Sequence, residues 1–264
     1  MRNATIRFHP LYVIAHALND PADRPGQWTS TSGQDATVQT LLGYGGRASQ
    51  QAPYFVELGA HHPISGSNTR ALERDYGWRG LCIEANPRLH GPLLAHRACT
   101  VIAAAVSDTE QSASLVEAGA ATQVRKGGSA AYGQIETVQF SRILRQFEVP
   151  RNISYLSLDV EGHEEQVMRS FPFQTFRMRL LTVERPPESL RSKLRSEGYA
   201  HACNHGLYGD ELWVDSVGDK AALQHARSTA VRCRSKGPPR CEPIGNPRFQ
   251  CYQAAAKTPS RSWW

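Results

Sequence analysis

The chain has 264 residues, of which 40% are hydrophobic and 20% are charged, as expected for one folded domain with a substantial core and not for a long disordered protein. Its net charge of +6 is scattered, and aromatic residues do not alternate with the basic ones, so no nucleic-acid groove is predicted. A basic surface remains compatible with anionic small molecules such as phosphorylated or nucleotide-linked sugars. No apolar run approaches the roughly 20 residues of a membrane helix, so no membrane span is predicted.

The sequence divides into three predicted regions. Residues 1–50 are rich in Pro, Gly, Ser and Thr and contain one short helical pattern, Asp35 to Leu42, so they are predicted to form an N-terminal extension. Residues 51–227 carry the regular apolar patterns and are predicted to form a Rossmann-like domain. Residues 228–264 contain many Arg, Pro and Cys residues and are predicted to form a C-terminal tail.

The stretch from Tyr54 to Pro87 reads as strand, glycine turn, helix, strand and acid. Its first apolar run carries Glu57 and is followed at once by Gly59, and its second, Leu81 to Ile83, ends on Glu84. This is the order of a nucleoside-binding β-α-β unit. Gly59 permits a tight turn close to a ligand, and Glu84 falls where an acid accepts hydrogen bonds from both ribose hydroxyls. An adenosine-containing ligand is therefore predicted here.

The spacing of glycines distinguishes between two such ligands. A dinucleotide site requires G-x-G-x-x-G, because its pyrophosphate lies against backbone amides at a helix N-terminus. After Gly59 the next glycine is Gly66, which misses that pattern, and Glu57 suits a cationic ligand better than a phosphate. S-adenosylmethionine carries a sulfonium and an ammonium group and no phosphate. The sequence favours it, and a nicotinamide-dependent oxidoreductase is the weaker alternative.

The later elements alternate between strands and helices. The predictions are a helix starting near Ser67 or Asn68, a helix from Pro87 to His96, a strand from Thr100 to Val106, a loop from Glu117 to Gly133, a helical pattern from Phe140 to Phe147, a strand from Ile153 to Val160, a helix from Glu164 to Arg169, a strand from Leu180 to Glu184, a helix from Ser189 to Glu197, and strands from Tyr199 to Cys203 and Glu211 to Asp215. This pattern predicts an α/β protein with a mostly parallel seven-stranded sheet and helices on both faces.

Acids follow the ends of four predicted strands. They are Glu57, Glu84, Asp159 with Glu161, and Glu184. Ligands of such sheets collect at the carboxyl ends of the strands, so a site is predicted there. If the strand continues that far, Asp159 and Glu161 share a face, and their like charges would raise the pKa of one, as suits a general base. These acids could also hold Mg²⁺ through water, but nothing fixes their number, so no metal is predicted.

Several stretches together resemble the FkbM-type methyltransferases. They are FVELGAHHPISGSNTRALERDYGWRGLCIEANP, AAAVSD, YLSLDVEGHEEQVMRSFPF, LLTVERP and EGYAHACNHGLYGDELWV. Ser32-Gly33-Gln34-Asp35 also resembles a Gln-Asp segment that often precedes the first strand in that family, and the resemblance runs from about Ser32 to Ser216. It implies a class I, Rossmann-like methyltransferase that uses S-adenosylmethionine to methylate hydroxyl oxygens of sugars or natural products.

The resemblance also implies roles for residues. The cofactor-binding residues are predicted to be Glu57, Gly59, Ala60, Asn68, Glu84, Ala85, Asp108 and Asp159. Of these, Glu57 and Gly59 would hold the methionine end, with Asn68 at its border. Glu84 would hold the ribose, and Asp108 would lie near the adenine.

The same comparison predicts where the chemistry occurs. Asp159 and Glu161 would face the methyl group and the acceptor, and His163 is the best-placed imidazole, so these three are the predicted catalytic residues. His62-Pro63 departs from the family pattern, which makes His61 and His62 candidates for substrate contact and keeps open a binding protein that has lost catalysis. The sequence DVEG stands where enzymes that methylate amide nitrogens of nucleic acid carry a D/N-P-P-Y/F turn, which argues against that activity.

The predicted partner is a small molecule with a hydroxyl group to be methylated, such as a sugar or glycan. Its pocket is predicted to be built by the loop at 117–133 and the segment from His201 to Asp210. Neither the acceptor nor the oligomeric state is identified by the sequence.

The cysteines leave two possibilities open. Cys82 and Cys99 lie in or beside neighbouring predicted strands and could reach bridging distance. Three others lie in the tail, Cys233, Cys241 and Cys251, and disulfides could pin that tail, with Cys203 as a fourth partner. Glycosylation sequons begin at Asn3 and Asn152. Cysteines and sequons favour the secretory pathway or Golgi lumen, whereas six free thiols would fit the cytoplasm.

Overall fold

The computed structural model describes residues 23–42, 52–118, 121–125, 134–205 and 208–228. The sequon at Asn3, the tail cysteines with their suggested partnership to Cys203, and part of the predicted loop at 117–133 therefore lie outside the described residues. The predicted domain boundaries at residues 50 and 228 stay predictions.

Seven helices and eleven strands lie in the described residues. The helices are α1 Gln34–Leu42, α2 Arg70–Tyr76, α3 Pro87–His96, α4 Phe140–Gln146, α5 Glu164–Arg169, α6 Glu188–Ser196 and α7 Lys220–Ser228. The strands are β1 Tyr54–Leu58, β2 Arg79–Glu84, β3 Thr100–Ala103, β4 Ala105–Ser107, β5 Ser112–Ala118, β6 Ala121–Arg125, β7 Gln134–Gln139, β8 Asn152–Leu158, β9 Arg177–Glu184, β10 Tyr199–His205 and β11 Asp210–Asp215.

A seven-stranded sheet with the order β10-β11-β9-β8-β1-β2-β3 forms the centre of the domain. Five of its strands pair in parallel, and β11 runs antiparallel to both β9 and β10. One apolar core packs α4, α5 and α6 against one face, and a second packs α1, α2, α3 and α7 against the other. The predicted α/β class, with a mostly parallel seven-stranded sheet and helices on both faces, is confirmed.

The two central strands explain where a ligand would lie. β1 and β8 are buried along nearly their whole length, because helices cover both faces of the sheet at its centre. The chain leaves β1 toward β2 on one side and later returns through β8 on the other. The strand order therefore reverses between β1 and β8, and a crevice opens beyond their carboxyl ends.

The region from residue 105 to 139 differs from the prediction. The predicted loop is wrong for the residues described, because β5 and β6 pair as an antiparallel hairpin in a second sheet of order β4-β7-β5-β6. Small and polar side chains give a weak strand pattern in the sequence. In the structure, hydrogen bonding of β5 to β7 stabilises the extended conformation. The predicted strand Thr100 to Val106 is also two strands in two sheets, divided where the Ala104 N–H turns to the Glu84 carbonyl, 3.1 Å away.

Helix boundaries agree closely with the sequence except at α2. This helix begins at Arg70, slightly later than predicted, and the hydroxyl of Ser67 accepts the Arg70 N–H at 3.1 Å. Ser67 therefore satisfies a free N–H group at the start of the helix, as a capping residue does. Helix α7 was not predicted.

Cys82 in β2 and Cys99 just before β3 form a disulfide, with their Cα atoms 6.1 Å apart. The prediction that these two cysteines reach bridging distance is confirmed. Among the described residues, no helix combines the length and the apolar character that crossing a bilayer demands.

Candidate active site

Two adjoining cavities open beyond the carboxyl ends of the central strands. The first, here called the large cavity, has a volume of about 370 Å³, within the range of roughly 300–1,000 Å³ usual for small-molecule sites. The second, called the small cavity, has a volume of about 60 Å³. Four residues line both: Thr31, Gly66, Asn68 and Asp159.

The large cavity collects nearly all the predicted site residues. Its lining consists of Thr31, Glu57, Leu58, Gly59, Ala60, His61, His62, Ser65, Gly66, Asn68, Ile83, Glu84, Ala85, Ala104, Ala105, Val106, Val124, Asp159, Val160, Glu161 and His163. Seven of the eight predicted cofactor residues and all three predicted catalytic residues are in this set. The exception is Asp108.

Gly59 occupies a position where a side chain cannot fit. Its φ of +77° is in the left-handed region, and a Cβ there would lie 1.7 Å from the backbone carbonyl oxygen of Asp159. The N–H groups of Gly59 and Ala60 both donate to the Ile83 carbonyl, at 3.0 and 3.2 Å. Glycine is therefore required for the close approach of the β1 and β8 ends, besides leaving room for a ligand.

Glu84 is held in place by the backbone. Its Oε2 accepts the His61 N–H at 2.8 Å and its Oε1 accepts the Asn86 N–H at 2.7 Å, while the residue is only 6% exposed. Each carboxylate oxygen has a further lone pair for a second hydrogen bond. Glu84 is thus fixed in advance as an acceptor for a pair of hydroxyl groups.

Glu57 is a buried member of an ion-pair network. Its Oε1 accepts the Asn68 N–H at 2.9 Å, and its Oε2 accepts from the hydroxyl of Thr69 at 2.7 Å and from Arg97 at 3.1 Å. Arg97, also buried, pairs with Glu73 at 3.2 Å. In this structure Glu57 orders the turn before α2, and its predicted contact with the methionine end of the cofactor stays a prediction.

Asp108 lies outside both cavity linings. Burial is the largest single influence and acts to raise its pKa, but the hydrogen bond from Arg169 at 2.8 Å, the hydrogen bond from Ser107 and the charge of Arg169 together hold the pKa of Asp108 below its ordinary value. The neighbouring Ser107 hydroxyl lies 3.0 Å from His163 Nε2 and 3.3 Å from an oxygen of Asp108. Ser107 thus connects Asp108 to His163, which lines the large cavity, and the place of Asp108 near the adenine stays a prediction.

The turn after β8 presents the predicted catalytic acids. The predicted strand end at Val160 is wrong, because β8 ends at Leu158, so the condition under which strand alternation would give Asp159 and Glu161 a common face is not met. Instead Glu161, with φ +56°, and Gly162, with φ +94°, form a tight left-handed turn. Glu164 fixes this turn by accepting the N–H groups of Val160 and Gly162, each at 3.1 Å. Both acids line the large cavity by this route.

Asp159 is surrounded by acids. It is hydrogen-bonded to Glu184, and Arg185 pairs with Glu184 and Glu161 at 2.5 and 2.9 Å. Burial, followed by the negative charges of Glu184, Glu161 and Asp210, raises the pKa of Asp159 to about 9. This environment favours the protonated form of Asp159 at neutral pH, in which its carboxyl donates the hydrogen bond to Glu184.

The small cavity is lined almost entirely by polar groups. Its residues are Thr31, Ser32, Gln34, Gly66, Asn68, Asp159, Glu184, Tyr208 and Asp210. Asp210 stands opposite Glu184 in the β9–β11 pair, and burial together with the charge of Glu184 raises its pKa to about 7. Tyr208 is 59% exposed. None of the described residues that line either cavity is Lys or Arg.

Part of this wall comes from residues that the sequence assigned to an N-terminal extension. Asp35 is buried, and its Oδ2 accepts the N–H groups of Thr29 at 2.7 Å and Ser30 at 3.1 Å. The Thr29 hydroxyl donates to the Ser67 carbonyl at 2.9 Å. These bonds hold the segment that supplies Thr31, Ser32 and Gln34 against the site. The sequence analysis noted that Gln34-Asp35 resembles a family segment. It did not predict that Thr31, Ser32 and Gln34 line a cavity.

A metal is not assigned. Oxygen atoms of Asp159, Glu164 and Glu184 lie within 4.8 Å of one another. However, Glu164 already accepts two backbone N–H groups, and Glu184 pairs with Arg185. Each of these two acids thus has partners within the protein.

The large cavity fits S-adenosylmethionine in the chemistry of its groups. Glu84 offers acceptors for a ribose, Glu161 offers negative charge for a sulfonium or an ammonium group, and Asp159 can ionise beside such a cation. Several apolar lining residues suit a flat base, among them Ala60, Ile83, Ala85, Ala104, Ala105 and Val106. A pyrophosphate would find no Lys or Arg among the described lining residues, which argues against a nicotinamide dinucleotide.

Comparisons with known proteins agree with this reading. A family model described as the methyltransferase FkbM domain matches residues 57–201, more than half of the chain. No curated protein matches the chain significantly.

Solved structures similar to this chain include three methyltransferase domains. The METTL16 methyltransferase domain in a second crystal form has 13% identity over 67% of this chain and 63% of that one, with a TM-score of 0.41. A precorrin-6y C5,15-methyltransferase from Geobacter metallireducens GS-15 has 12% identity over 69% and 84%, with a TM-score of 0.36. The human METTL16 N-terminal domain in complex with SAH has 10% identity over 67% and 66%, with a TM-score of 0.38. These likenesses are weak and concern the fold alone.

Proposed function

The chain belongs to the FkbM family of methyltransferases, whose cofactor is S-adenosylmethionine, and on that premise we propose that it methylates a hydroxyl oxygen of a sugar or another small natural product. The observation that carries the proposal is the carboxyl of Asp159, which stands at the junction of the two cavities with a pKa of about 9. A hydroxyl group is a poor nucleophile at neutral pH and needs a base within hydrogen-bond reach. Asp159 is the group in this site best suited to that task.

The large cavity would hold the cofactor. Glu84, fixed by two backbone N–H groups, would accept the ribose hydroxyls, and Gly59 and Ala60 leave the floor of the cavity free of bulky side chains. Asp159 and Glu161 would face the cationic end. When bound there, S-adenosylmethionine supplies an electrophilic methyl group.

Cofactor binding would convert Asp159 from an acid to a base. The pKa of Asp159 is raised by burial and by neighbouring carboxylates, so a cation next to it favours loss of its proton. Ionised Asp159 then accepts the proton of an acceptor hydroxyl as the oxygen attacks. The proton that Asp159 releases would pass to Glu184, its hydrogen-bond partner, and protonated Glu184 would then donate to the Asp159 carboxylate and keep it oriented toward the junction.

The other predicted catalytic residues have engaged side chains. Glu161 pairs with Arg185, and His163 Nε2 contacts the Ser107 hydroxyl. We therefore assign Glu161 to electrostatic stabilisation of the cationic cofactor and His163 to the cavity wall, and we assign the base role to Asp159.

The departure at His62-Pro63 does not favour a binding protein without catalysis. His62 Nδ1 accepts the Ser65 N–H at 3.0 Å and the Ile64 N–H at 3.3 Å, so the altered sequence makes an ordered turn. His61 and His62 both line the large cavity and leave it open. The cavity and its acids are retained, as catalysis requires.

The test is the Asp159→Asn variant with isotope-labelled S-adenosylmethionine and a panel of hydroxylated acceptors. We expect methyl transfer to oxygen by the wild type and a loss of about 10²–10⁴-fold in the variant, the usual contribution of a general base. The affinity for S-adenosylhomocysteine, measured by calorimetry, should change by less than about threefold. Glu110→Gln, which removes an exposed carboxylate on the surface, is the matched control.

Each contrary result removes a different part of the proposal. No binding of S-adenosylhomocysteine by folded wild type would remove the cofactor site. Binding without transfer to any oxygen acceptor would favour a protein that keeps the fold without this chemistry. Full activity in Asp159→Asn would remove the base assignment alone.

A further inference from the structure

We propose that the small cavity is the acceptor subsite, that it takes a hydrogen-bond-donor group such as a hydroxyl or an ammonium group, and that it rejects phosphate, sulfate and carboxylate. This inference rests on the proposed function, because it takes the large cavity to be the cofactor site. The net charge of the whole chain, +6, would by itself be compatible with a phosphorylated or nucleotide-linked acceptor, but the residues that line the small cavity favour the opposite conclusion.

The small cavity lies where an acceptor is needed. It shares Asp159 and Asn68 with the large cavity, so a group bound in it lies beside the carboxyl that we assign as the base. Its volume of about 60 Å³ admits a few atoms, because one water needs roughly 10–15 Å³ by the same kind of measure. A hydroxymethyl or aminomethyl group would fit inside, while the rest of the acceptor would extend past the exposed Tyr208.

The charge of the lining selects against anions. Asp159, Glu184 and Asp210 bring three carboxyl groups to the cavity, and none of its nine described lining residues is Lys or Arg. Arg185 pairs with Glu184 but is not part of that lining. The pKa values of Asp159 and Asp210 are both raised, first by burial and then by Glu184, which means that further negative charge is disfavoured there. A bound anion would meet the same unfavourable field, whereas a donor group would find carboxyl oxygens to accept its hydrogen bonds.

The mouth of the cavity suits the apolar face of a hydroxylated or amino-bearing molecule. Tyr208 is one of three large hydrophobic side chains exposed among the described residues, the others being Tyr76 and Val217. An aromatic ring beside carboxyl groups can pack against C–H groups of an acceptor and attract a cation to its face. The Tyr208 ring and the carboxyl groups of the small cavity therefore both favour an acceptor that carries hydroxyl or ammonium groups.

Tyr208 also provides a direct measurement. The full chain is labelled with 3-fluorotyrosine, and the Tyr208 resonance is identified from its loss in Tyr208→Phe. Glycerol, ethanolamine and inorganic phosphate are then titrated at constant ionic strength, with and without saturating S-adenosylhomocysteine. We expect glycerol or ethanolamine to shift the Tyr208 resonance to saturation, and phosphate to bind at least about tenfold more weakly. Phosphate binding of equal or greater affinity, or no saturable shift with any probe, would overturn the inference.

Variants of Asp210 test the role of charge. Asp210→Lys should strengthen phosphate binding at Tyr208 by at least about tenfold, whereas Glu110→Lys, the same charge change at an exposed site, should leave it unchanged. Because Asp210 is buried, the folding of Asp210→Lys is checked by circular dichroism. Asp210→Asn keeps the shape and should weaken ethanolamine binding by about fivefold or more. Unchanged ethanolamine and phosphate binding in the folded variants would contradict the inference.

This experiment separates the inference from the proposed function. Binding of S-adenosylhomocysteine and methyl transfer are measured on the same preparation. If both occur and phosphate still occupies the small cavity, only the acceptor class is overturned. If S-adenosylhomocysteine does not bind, the proposed function fails whatever the Tyr208 titration gives.

Discussion

The two cavities differ in which part of the chain builds them. Every lining residue of the large cavity except Thr31 lies within residues 57–201, the span that matches the family model. Five of the nine lining residues of the small cavity lie outside that span: Thr31, Ser32, Gln34, Tyr208 and Asp210. The part of the chain that matches the family model thus forms nearly all of the large cavity, which we propose as the cofactor site, and the flanking segments form more than half of the small cavity, the proposed acceptor subsite. On this proposal, substitutions in the flanking segments should change the acceptor without changing cofactor binding.

The largest effect is expected at Gly59, which lines the large cavity and packs against the backbone of Asp159. Gly59→Ala puts a Cβ 1.7 Å from the Asp159 carbonyl oxygen at a left-handed φ, so the two strand ends must separate. We expect a loss of stability of about 3 kcal/mol or more and loss of S-adenosylhomocysteine binding. Denaturant unfolding and calorimetry measure the two effects.

Gly77→Ala is the matched control, because Gly77 is also left-handed, with φ +68°, but a Cβ there meets nothing within 4 Å. It should cost about 1–2 kcal/mol and leave binding intact. Equal effects of the two substitutions would show that backbone conformation, and not the contact with Asp159, makes Gly59 necessary.

A change confined to the large cavity should affect the cofactor alone. Glu84→Ala removes the two oxygens held for a ribose, so we expect S-adenosylhomocysteine affinity to fall at least about tenfold, or ~1.4 kcal/mol. The Tyr208 titration with ethanolamine should not change. Glu188→Ala, at an exposed acid on α6, is the control, and equal affinity in the two variants would remove the ribose assignment.

The acid pair at the junction should appear in the pH dependence of stability. The pKa of Asp159 is raised from 3.8 to about 9 in the folded state, so between these values the folded chain binds a proton that the unfolded chain has released. Stability should therefore decrease as pH rises through this window, by at most about 1.4 kcal/mol per pH unit. Urea unfolding between pH 5 and 9 measures the slope. The slope should be smaller in Asp159→Asn, and an unchanged slope would show that Asp159 does not hold the proton.

The smallest effect is expected at the mouth of the small cavity. Tyr208→Ala removes an exposed ring, so the KM for an acceptor identified in the methyl-transfer screen should rise about threefold to tenfold. The affinity for S-adenosylhomocysteine and the stability should not change. Tyr76→Ala, at another exposed tyrosine, is the control. A change in cofactor affinity would mean that the two cavities are not independent.

Features that depend on residues close together in the sequence were predicted best. The apolar run of β1 followed by Gly59, and β2 ending on Glu84, are local patterns, and both are found as predicted. The glycine-poor spacing after Gly59 correctly favoured a methyltransferase over a dinucleotide enzyme. The hairpin of β5 and β6 was missed because small residues carry little strand signal before they are paired.

Contacts between distant residues could not be predicted. Arg97 meets Glu57 across 40 positions, and no local pattern links them, so the sequence did not indicate that the Glu57 carboxylate is part of an ion-pair network. Asp108 follows β4 as expected, but its side chain turns to Arg169. The small cavity combines residues of α1, β9 and β11 with residues of four connecting segments, which lie before α1, between β1 and α2, after β8 and before β11. These segments are far apart in the sequence, so the lining of the small cavity could be identified only from the folded structure.

The disulfide between Cys82 and Cys99 has a consequence for the unfolded chain. It joins β2 to the start of β3 across 17 positions, so the segment that carries Glu84 and α3 stays a closed loop when every other contact is lost. A loop of this size removes roughly 3 kcal/mol of conformational freedom from the denatured ensemble in the chain-entropy description. The same bridge keeps Arg97, two residues from Cys99, tethered near the strand next to Glu57. In the unfolded chain, Glu84, the proposed ribose ligand, and Arg97, the ion-pair partner of Glu57, therefore stay close to each other.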